Sequence, residues 1–250
     1  MRIFLINLER DKDRLFFSIE QSKKYGYKIE RIPGVYGKDL SLEERNRSVN
    51  SFRFWCAVGR RPLLGEIGCG LSHIKIYKKM VEENILCACI LEDDIIILDG
   101  FKRKLSEIEE WIDVDKPQVV RLNLSAEGLE SGDYVARRSH VDTSACSYCL
   151  TLCAAKALLK ENYPMVTPSD WWPRWDKYGI IELYNCNTKV CWHNNAESGF
   201  TSVISQSESK KTENMVSLWR KLYHKVMRLI GIVIDNVLMF FEKSLKLKWL

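Results

Sequence analysis

The run Leu86-Cys87-Ala88-Cys89-Ile90-Leu91 is apolar or small at every position and is followed at once by Glu92-Asp93-Asp94. An uninterrupted apolar run of this length matches a strand buried on both faces, the kind found in sheets covered by helices on each side. The carboxylates then fall at the strand's carboxyl end, where open α/β sheets place their ligands. Carboxylates packed this closely repel one another unless a cation neutralises them, and hard oxygen donors suit Mg²⁺ or Mn²⁺. Such an ion would in turn hold a diphosphate. A solvated acidic turn is the simpler reading of an isolated Glu-Asp-Asp, but Ile95-Ile96-Ile97-Leu98 follows directly and argues against a plain surface loop.

The rest of the chain alternates strand-like and helix-like segments. Residues 1–10 read as a first buried strand, too short in its apolar run and too quickly charged for a signal peptide. Asp11 to Tyr25 has helical spacing, with Gly26 at its carboxyl cap. Lys28 to Val35 reads as a second strand, and Ser41-Leu42-Glu43-Glu44 is a capping box. Residues 50–64 lack a clear period and read as a loop over a site. Gly65-Glu66 opens a central helix with Ile67, Leu71, Ile74, Tyr77 and Val81 at three- and four-residue steps. Phe101 to Trp111 and Ala154 to Asn162 read as helices. Gln118 to Leu124, Ser147 to Leu152, Ile180 to Leu183 and Thr188 to Trp192 read as strands, and 125–145 as loop with a short hairpin. This alternation implies a three-layer α/β domain with a mainly parallel sheet.

Composition narrows the class. The 250 residues contain nine cysteines in apolar or small surroundings. Cys146-x-x-Cys149 has zinc-ligand spacing but no second pair, so reduced core thiols in a cytosolic protein are expected. The net charge is +5, yet from Lys210 onward nine basic residues face three acidic ones, which leaves the body slightly negative. A basic tail on a near-neutral body argues against nucleic-acid binding and for contact with an anionic surface.

Four motifs, in order, resemble glycosyltransferase family 25, which contains bacterial lipooligosaccharide and collagen galactosyltransferases. They are Ile6-Asn7-Leu8-x-Arg10-x-x-x-Arg14, Gly65-Glu66-Ile67-Gly68-Cys69-x-x-Ser72-His73, Ile90-Leu91-Glu92-Asp93-Asp94 and Pro168-Ser169-Asp170-Trp171-Trp172. The resemblance covers residues 1 to roughly 205 and implies a GT-A type, Rossmann-like fold. It also implies a UDP-sugar donor, usually UDP-galactose, a divalent metal, and inversion at the anomeric carbon. Where family members often carry an acid after the second strand, this chain has Gly34-Val35-Tyr36-Gly37, leaving Tyr36 to stack on or cover the base.

Roles follow from chemistry. Asp94 is expected to ligate Mn²⁺ (or Mg²⁺), with Glu92 as a further ligand or, like Asp93, a ribose or water-mediated contact. His193, after the last strand, is a candidate to complete the metal shell, since imidazole tolerates Mn²⁺ better than Mg²⁺. Arg10 and Arg14, beside Asn7 at the first strand end, suit phosphate. Glu66, Ser72 and His73 either contact the donor or brace the central helix, and Glu66 is the one carried as a donor contact. Asp170, in the aromatic loop Trp171-Trp172-Pro173-Arg174-Trp175, whose ring faces suit stacking on a sugar, is the expected base for an acceptor hydroxyl; a capping Asp beside core tryptophans is the alternative.

Residues 1–205 are thus expected to form the catalytic domain and 206–250 a C-terminal amphipathic helical tail. Met215, Leu218, Leu222, Val226, Leu229, Val233, Val237 and Phe240 repeat at helical spacing, with basic residues largely on other faces. Such a helix, over residues 215–250, lies in the plane of an anionic membrane. The combined expectation is an inverting, metal-dependent galactosyltransferase of lipooligosaccharide or lipopolysaccharide biosynthesis. It would be cytoplasmic, peripheral on the inner membrane, and act on a saccharide acceptor that is lipid-linked; a homo-oligomer is compatible with the sequence. A non-catalytic nucleotide-sugar-binding or membrane scaffold of the same fold is the alternative.

Overall fold

The structure is a computed structural model that describes residues 1–123, 135–139, 144–193, 226 and 229–240. Its elements, in order, are β1 (Arg2–Asn7), α1 (Lys12–Tyr25), β2 (Glu30–Pro33), α2 (Leu42–Ser48), α3 (Ser51–Val58), α4 (Leu64–Glu82), β3 (Cys87–Glu92) and β4 (Ile95–Ile97). There follow α5 (Phe101–Trp111), β5 (Gln118–Arg121), β6 (Ala136–Arg138), β7 (Ser147–Thr151), α6 (Leu152–Glu161), α7 (Trp172–Lys177), β8 (Glu182–Cys186) and β9 (Cys191–His193).

Seven strands form one sheet in the order β2-β1-β3-β7-β5-β8-β6, and β4 and β9 form a separate antiparallel pair. β1 pairs parallel with β2 and β3, and β5 with β8, whereas β7 runs against β3 and β5 and β6 against β8. Five strands therefore point one way and two the other. The parallel-rich sheet expected from the sequence is present, with β7 as an inserted antiparallel strand.

Strand alternation builds two cores. Phe4, Ala88, Ile90, Tyr148 and Leu150 face one layer, with α4, α6 and α7, while Ile3, Leu5, Cys89, Leu91 and Cys149 face the other, with α5. Each fully buried Leu, Ile or Phe contributes about 1.5–3 kcal/mol, so both faces of β1 and β3 hold the sheet. The nine cysteines are all free, and most are buried.

Two segments differ from expectation. Residues 50–64 contain α3, whose start is capped by Asn50, its side chain accepting from the Arg53 amide at 3.1 Å. Gly59, at φ 79°, closes it in the left-handed region that glycine adopts without strain. Phe54, Cys56 and Ala57 are buried against the body, a face too short to announce a helical period among the surrounding aromatic and basic residues. The aromatic stretch after Asp170 is likewise a helix, α7, with Trp172 and Trp175 each only 1% exposed in the core. These two rings serve packing rather than an open sugar-binding platform.

Residues 229–240 are helical and lie on the body. Asp235 forms a two-pronged ion pair with Arg174 of α7, Asn236 accepts from the Tyr178 hydroxyl, and Met239 is buried. The expected division at 205/206 and the tail residues other than 226 and 229–240 fall outside the described residues.

Candidate functional site

The cleft lies at the carboxyl ends of β1 and β3, as the position of the acids requires. It holds about 340 Å³ and is walled by the β1 end (Ile6, Asn7, Leu8), the loop after β2 (Val35 to Lys38), the start of α4 (Leu63 to Gly65) and Glu92, Asp93 and Asp94.

Register explains the arrangement. Ile6 pairs with Glu92, so the next residues along, Asn7 and Asp93, meet where the strands end. Asn7 is buried and donates to Asp93 Oδ2 at 2.7 Å and to the Asp11 carbonyl at 2.9 Å, while accepting from Arg31 Nε at 3.0 Å. Arg14 donates to Asp93 Oδ1 at 3.0 Å and lies 3.5 Å from Asp94 Oδ2. Burial nevertheless raises the Asp93 carboxyl to about 6, against the opposing pull of Asn7 and Arg14. Asn7, Arg14 and Asp93 thus form one internal brace, and the Arg14 charge is directed at carboxylates.

Glu92, the last strand residue, turns to the opposite side, as alternation demands. Its Oε1 lies 3.2 Å from His73 Nε2 and 3.6 Å from Cys69 Sγ, both on α4. Asp93 and Asp94 make the tight turn into β4. β4 pairs with β9 so that Ile95 faces His193, which sets the backbone of residue 193 one step from Asp94.

Arg10 is half-exposed and stacks over the Tyr36 ring, 3.9 Å from its centroid. Tyr36 is thereby engaged by a cation, and Lys38, unmarked in the sequence reading, joins it on the cleft wall. Glu66 accepts from the Leu63 amide at 2.8 Å and from both terminal nitrogens of Arg60, at 2.8 and 2.6 Å, a local account as cap of α4. Ser72 accepts from the Val35 amide at 2.8 Å and donates to the Gly68 carbonyl at 2.7 Å, so it ties the cleft loop to α4.

Asp170 stands beside the cleft, not on its lining. The Asn162 side chain accepts from the Val166 and Thr167 amides at 2.9 and 3.0 Å, fixing the approach to the turn. Ser169 Oγ then lies 3.2 Å from Cys69 Sγ, which does line the cleft. α7 has no side-chain cap, so Asp170 is not spent as one. Its carboxyl is raised by burial first, with the negative charges of Glu92 and Glu66 adding and His73 opposing. A partly buried, hard-to-ionise carboxyl at a cleft edge has the character of a general base.

Comparison with known proteins accords with this geometry. The sequence profile of "Glycosyltransferase family 25 (LPS biosynthesis protein)" matches residues 1–172. Procollagen galactosyltransferase 2 of Mus musculus is 32% identical over 122 residues, covering 47% of this chain and 19% of that protein. A glycosyltransferase 25 family member of Anopheles gambiae is 30% identical over 172 residues, covering 64% of this chain and 28% of its own. The chain therefore spans under a third of the length of these relatives. A solved glycosyltransferase involved in glycosylating the major capsid of PBCV-1 aligns over 71% of this chain and 74% of its own, with 14% identity and a TM-score of 0.33, a likeness that carries no weight here. With its profile match running through the β1 end, α4, the acid turn and Asp170, the chain belongs to glycosyltransferase family 25.

Proposed function

We propose that this protein is an inverting, metal-dependent glycosyltransferase of GT-A type that moves galactose from UDP-galactose to a lipid-linked bacterial saccharide. The observation that carries the reading is the carboxylate trio at the end of β3, beside the end of the parallel strand β1, in a cleft lined by residues of three of the family's motifs. Mn²⁺ or Mg²⁺ fits the donor set: Asp94 and Glu92 offer hard oxygens at the cleft, and position 193 lies across the ladder from Asp94's neighbour. When bound, such an ion neutralises charge on the departing diphosphate. The chain's own groups do the rest. The amino-terminal end of α4 opens into the cleft and its dipole favours the diphosphate, with Lys38 on the wall and Arg10, stacked over the wall residue Tyr36, adding charge. Asp170 takes the proton from the acceptor hydroxyl as that oxygen attacks the sugar's C1 from the face opposite UDP.

The lipid-linked acceptor and a cytoplasmic, inner-membrane location rest on the stretch 229–240. Its Leu229, Val233, Val237 and Phe240 are exposed, at 56%, 61%, 47% and 69%, and basic residues flank it in sequence. Apolar side chains presented beside Lys and Arg suit an anionic bilayer surface.

The decisive experiment is UDP-sugar protection against thermal unfolding with and without Mn²⁺, alongside UDP release on acceptor addition. Asp94→Asn is expected to remove transfer and the Mn²⁺-dependent part of the protection while leaving the apo melting curve cooperative. Full activity in EDTA, or an active Asp94→Asn protein, overturns the metal assignment.

A further inference from the structure

Three side chains converge on the α4 wall of the cleft in a pattern the transfer reaction does not require. Cys69 and His73 are four residues apart on α4 and so share a face, one turn from each other. Glu92 reaches them from the end of β3. The donor atoms Cys69 Sγ, His73 Nε2 and Glu92 Oε1 all lie within 4.8 Å of one another. Among the described residues this is the one group of three or more such side chains so gathered.

The spacings match a tetrahedral ion. Zinc bonds of about 2.0 Å to nitrogen and oxygen and about 2.3 Å to sulfur, at tetrahedral angles, separate N from O by roughly 3.3 Å and S from O by roughly 3.5 Å. The corresponding separations here are 3.2 Å for His73 Nε2 to Glu92 Oε1 and 3.6 Å for Cys69 Sγ to Glu92 Oε1. The imidazole is also oriented as a ligand. Its far nitrogen, Nδ1, lies 2.7 Å from the Tyr148 hydroxyl, which lies 2.8 Å from the Tyr77 hydroxyl. With a proton on Nδ1 donated to Tyr148, and the Tyr148 proton to Tyr77, the Nε2 lone pair points at the other two donors. Ser169 Oγ, 3.2 Å from the sulfur, or a water completes four ligands. Cys69 and Glu92 line the cleft, which supplies an entry path.

We propose that Cys69, His73 and Glu92 form a site for a borderline-soft divalent ion, Zn²⁺, separate from the hard-ion position at Asp94. A thiolate and an imidazole favour zinc over Mg²⁺ or Mn²⁺. Binding exchanges the Cys69 S–H bond for an S–Zn bond and releases that proton to solvent, so affinity rises with pH. Because Glu92 belongs to both groupings, zinc here also competes with any contribution Glu92 makes to the donor cleft.

Co²⁺ titration of the metal-free full chain tests this. The expected result is a thiolate-to-cobalt charge-transfer absorption with intense tetrahedral d–d bands, saturating at one equivalent and bleached by one equivalent of Zn²⁺. Cys69→Ser should lose the charge-transfer absorption and Cys153→Ser should keep it, with folding of both checked by circular dichroism. Tyr148→Phe should weaken Co²⁺ about 10-fold, as loss of a group that orients a ligand does. Asp94→Asn should leave the spectrum unchanged, which separates this site from the Mn²⁺ position. X-ray absorption of the zinc-loaded wild type, which depends on no variant, should show one sulfur among nitrogen and oxygen ligands. A shell of nitrogen and oxygen alone, or a charge-transfer absorption that survives in folded Cys69→Ser, overturns the proposal.

Discussion

Asp93 and Asp170 show how one residue type takes different work from its surroundings. Asp93 is braced by Asn7 and Arg14 yet sits high, near 6, because burial outweighs both. Its folded-state value lies above that of an unfolded aspartate, so the folded chain holds the proton more tightly. The stability this confers is fully present below the unfolded value, near 3.8, and is lost as pH rises through about 6. In chelator-treated protein, the wild type should therefore lose stability relative to Asp93→Asn between those limits, by roughly 3 kcal/mol in total at about 1.4 kcal/mol per pH unit. Melting temperatures of the two proteins measured across that range check it; a constant difference would show that Asp93 ionises normally. Asp170 has no such brace and faces the cleft edge. Asp170→Asn keeps the side chain's size but cannot take a proton, so turnover should fall about 10²–10⁴-fold. UDP-sugar affinity should barely move, since Asp170 lies off the cleft lining. Near-normal turnover would return Asp170 to a structural role.

At the scale of elements, α4 carries more of the site than its apolar stripe announces. Its helical spacing was readable, and so was the Ser41–Glu44 capping box ahead of it, which forms in full. What spacing does not report is how closely the cleft loop lies on the helix. A Cβ on Gly68 would sit 2.4 Å from the Val35 carbonyl oxygen and 2.7 Å from the Gly37 amide nitrogen, both backbone atoms. Alanine would improve helix propensity by up to about 1 kcal/mol. The clash decides the sign, because backbone cannot rotate away as a side chain does. Gly68→Ala should cost about 1–3 kcal/mol net, as overpacking does. It should also weaken UDP-sugar binding, because the displaced loop carries Tyr36 and Lys38. Chemical denaturation and a donor titration read both effects, and a stabilised variant would refute the close-approach argument. α3 and α7 leave no period in the sequence for a related reason: they are eight and six residues long, and too few positions repeat to establish one.

Across the whole molecule, the helical stretch 229–240 joins the sheet-bearing body to whatever surface the protein meets. Its inner side is fixed by the Arg174–Asp235 ion pair, whose side chains are 10% and 3% exposed, and by Met239. Its outer side presents the stripe that periodicity had marked as apolar. The described members of that stripe, Val226, Leu229, Val233, Val237 and Phe240, are exposed, while the helix docks on the body through Asp235, the acid that interrupts the apolar run. Val233→Glu with Val237→Glu should therefore leave the melting temperature within about 1 °C, surface changes of this kind being small. The same pair should sharply reduce co-flotation with vesicles containing anionic lipid, and added salt should weaken the wild type as well. Unchanged flotation would assign the stripe to something other than lipid.

The sequence by itself determined the strand that ends in Glu92, the end of the sheet where the acids gather, the central helix and the family, because each is written locally in apolar period or in a contiguous motif. Tertiary structure alone decided what each carboxylate does. Glu92, Asp93 and Asp94 are consecutive, yet strand pleat and the β1–β3 register send Glu92 to His73 and Cys69 on α4 and Asp93 to Asn7 and Arg14. Those partners lie between 19 and 86 residues away along the chain, and no local pattern encodes a distance that only folding closes.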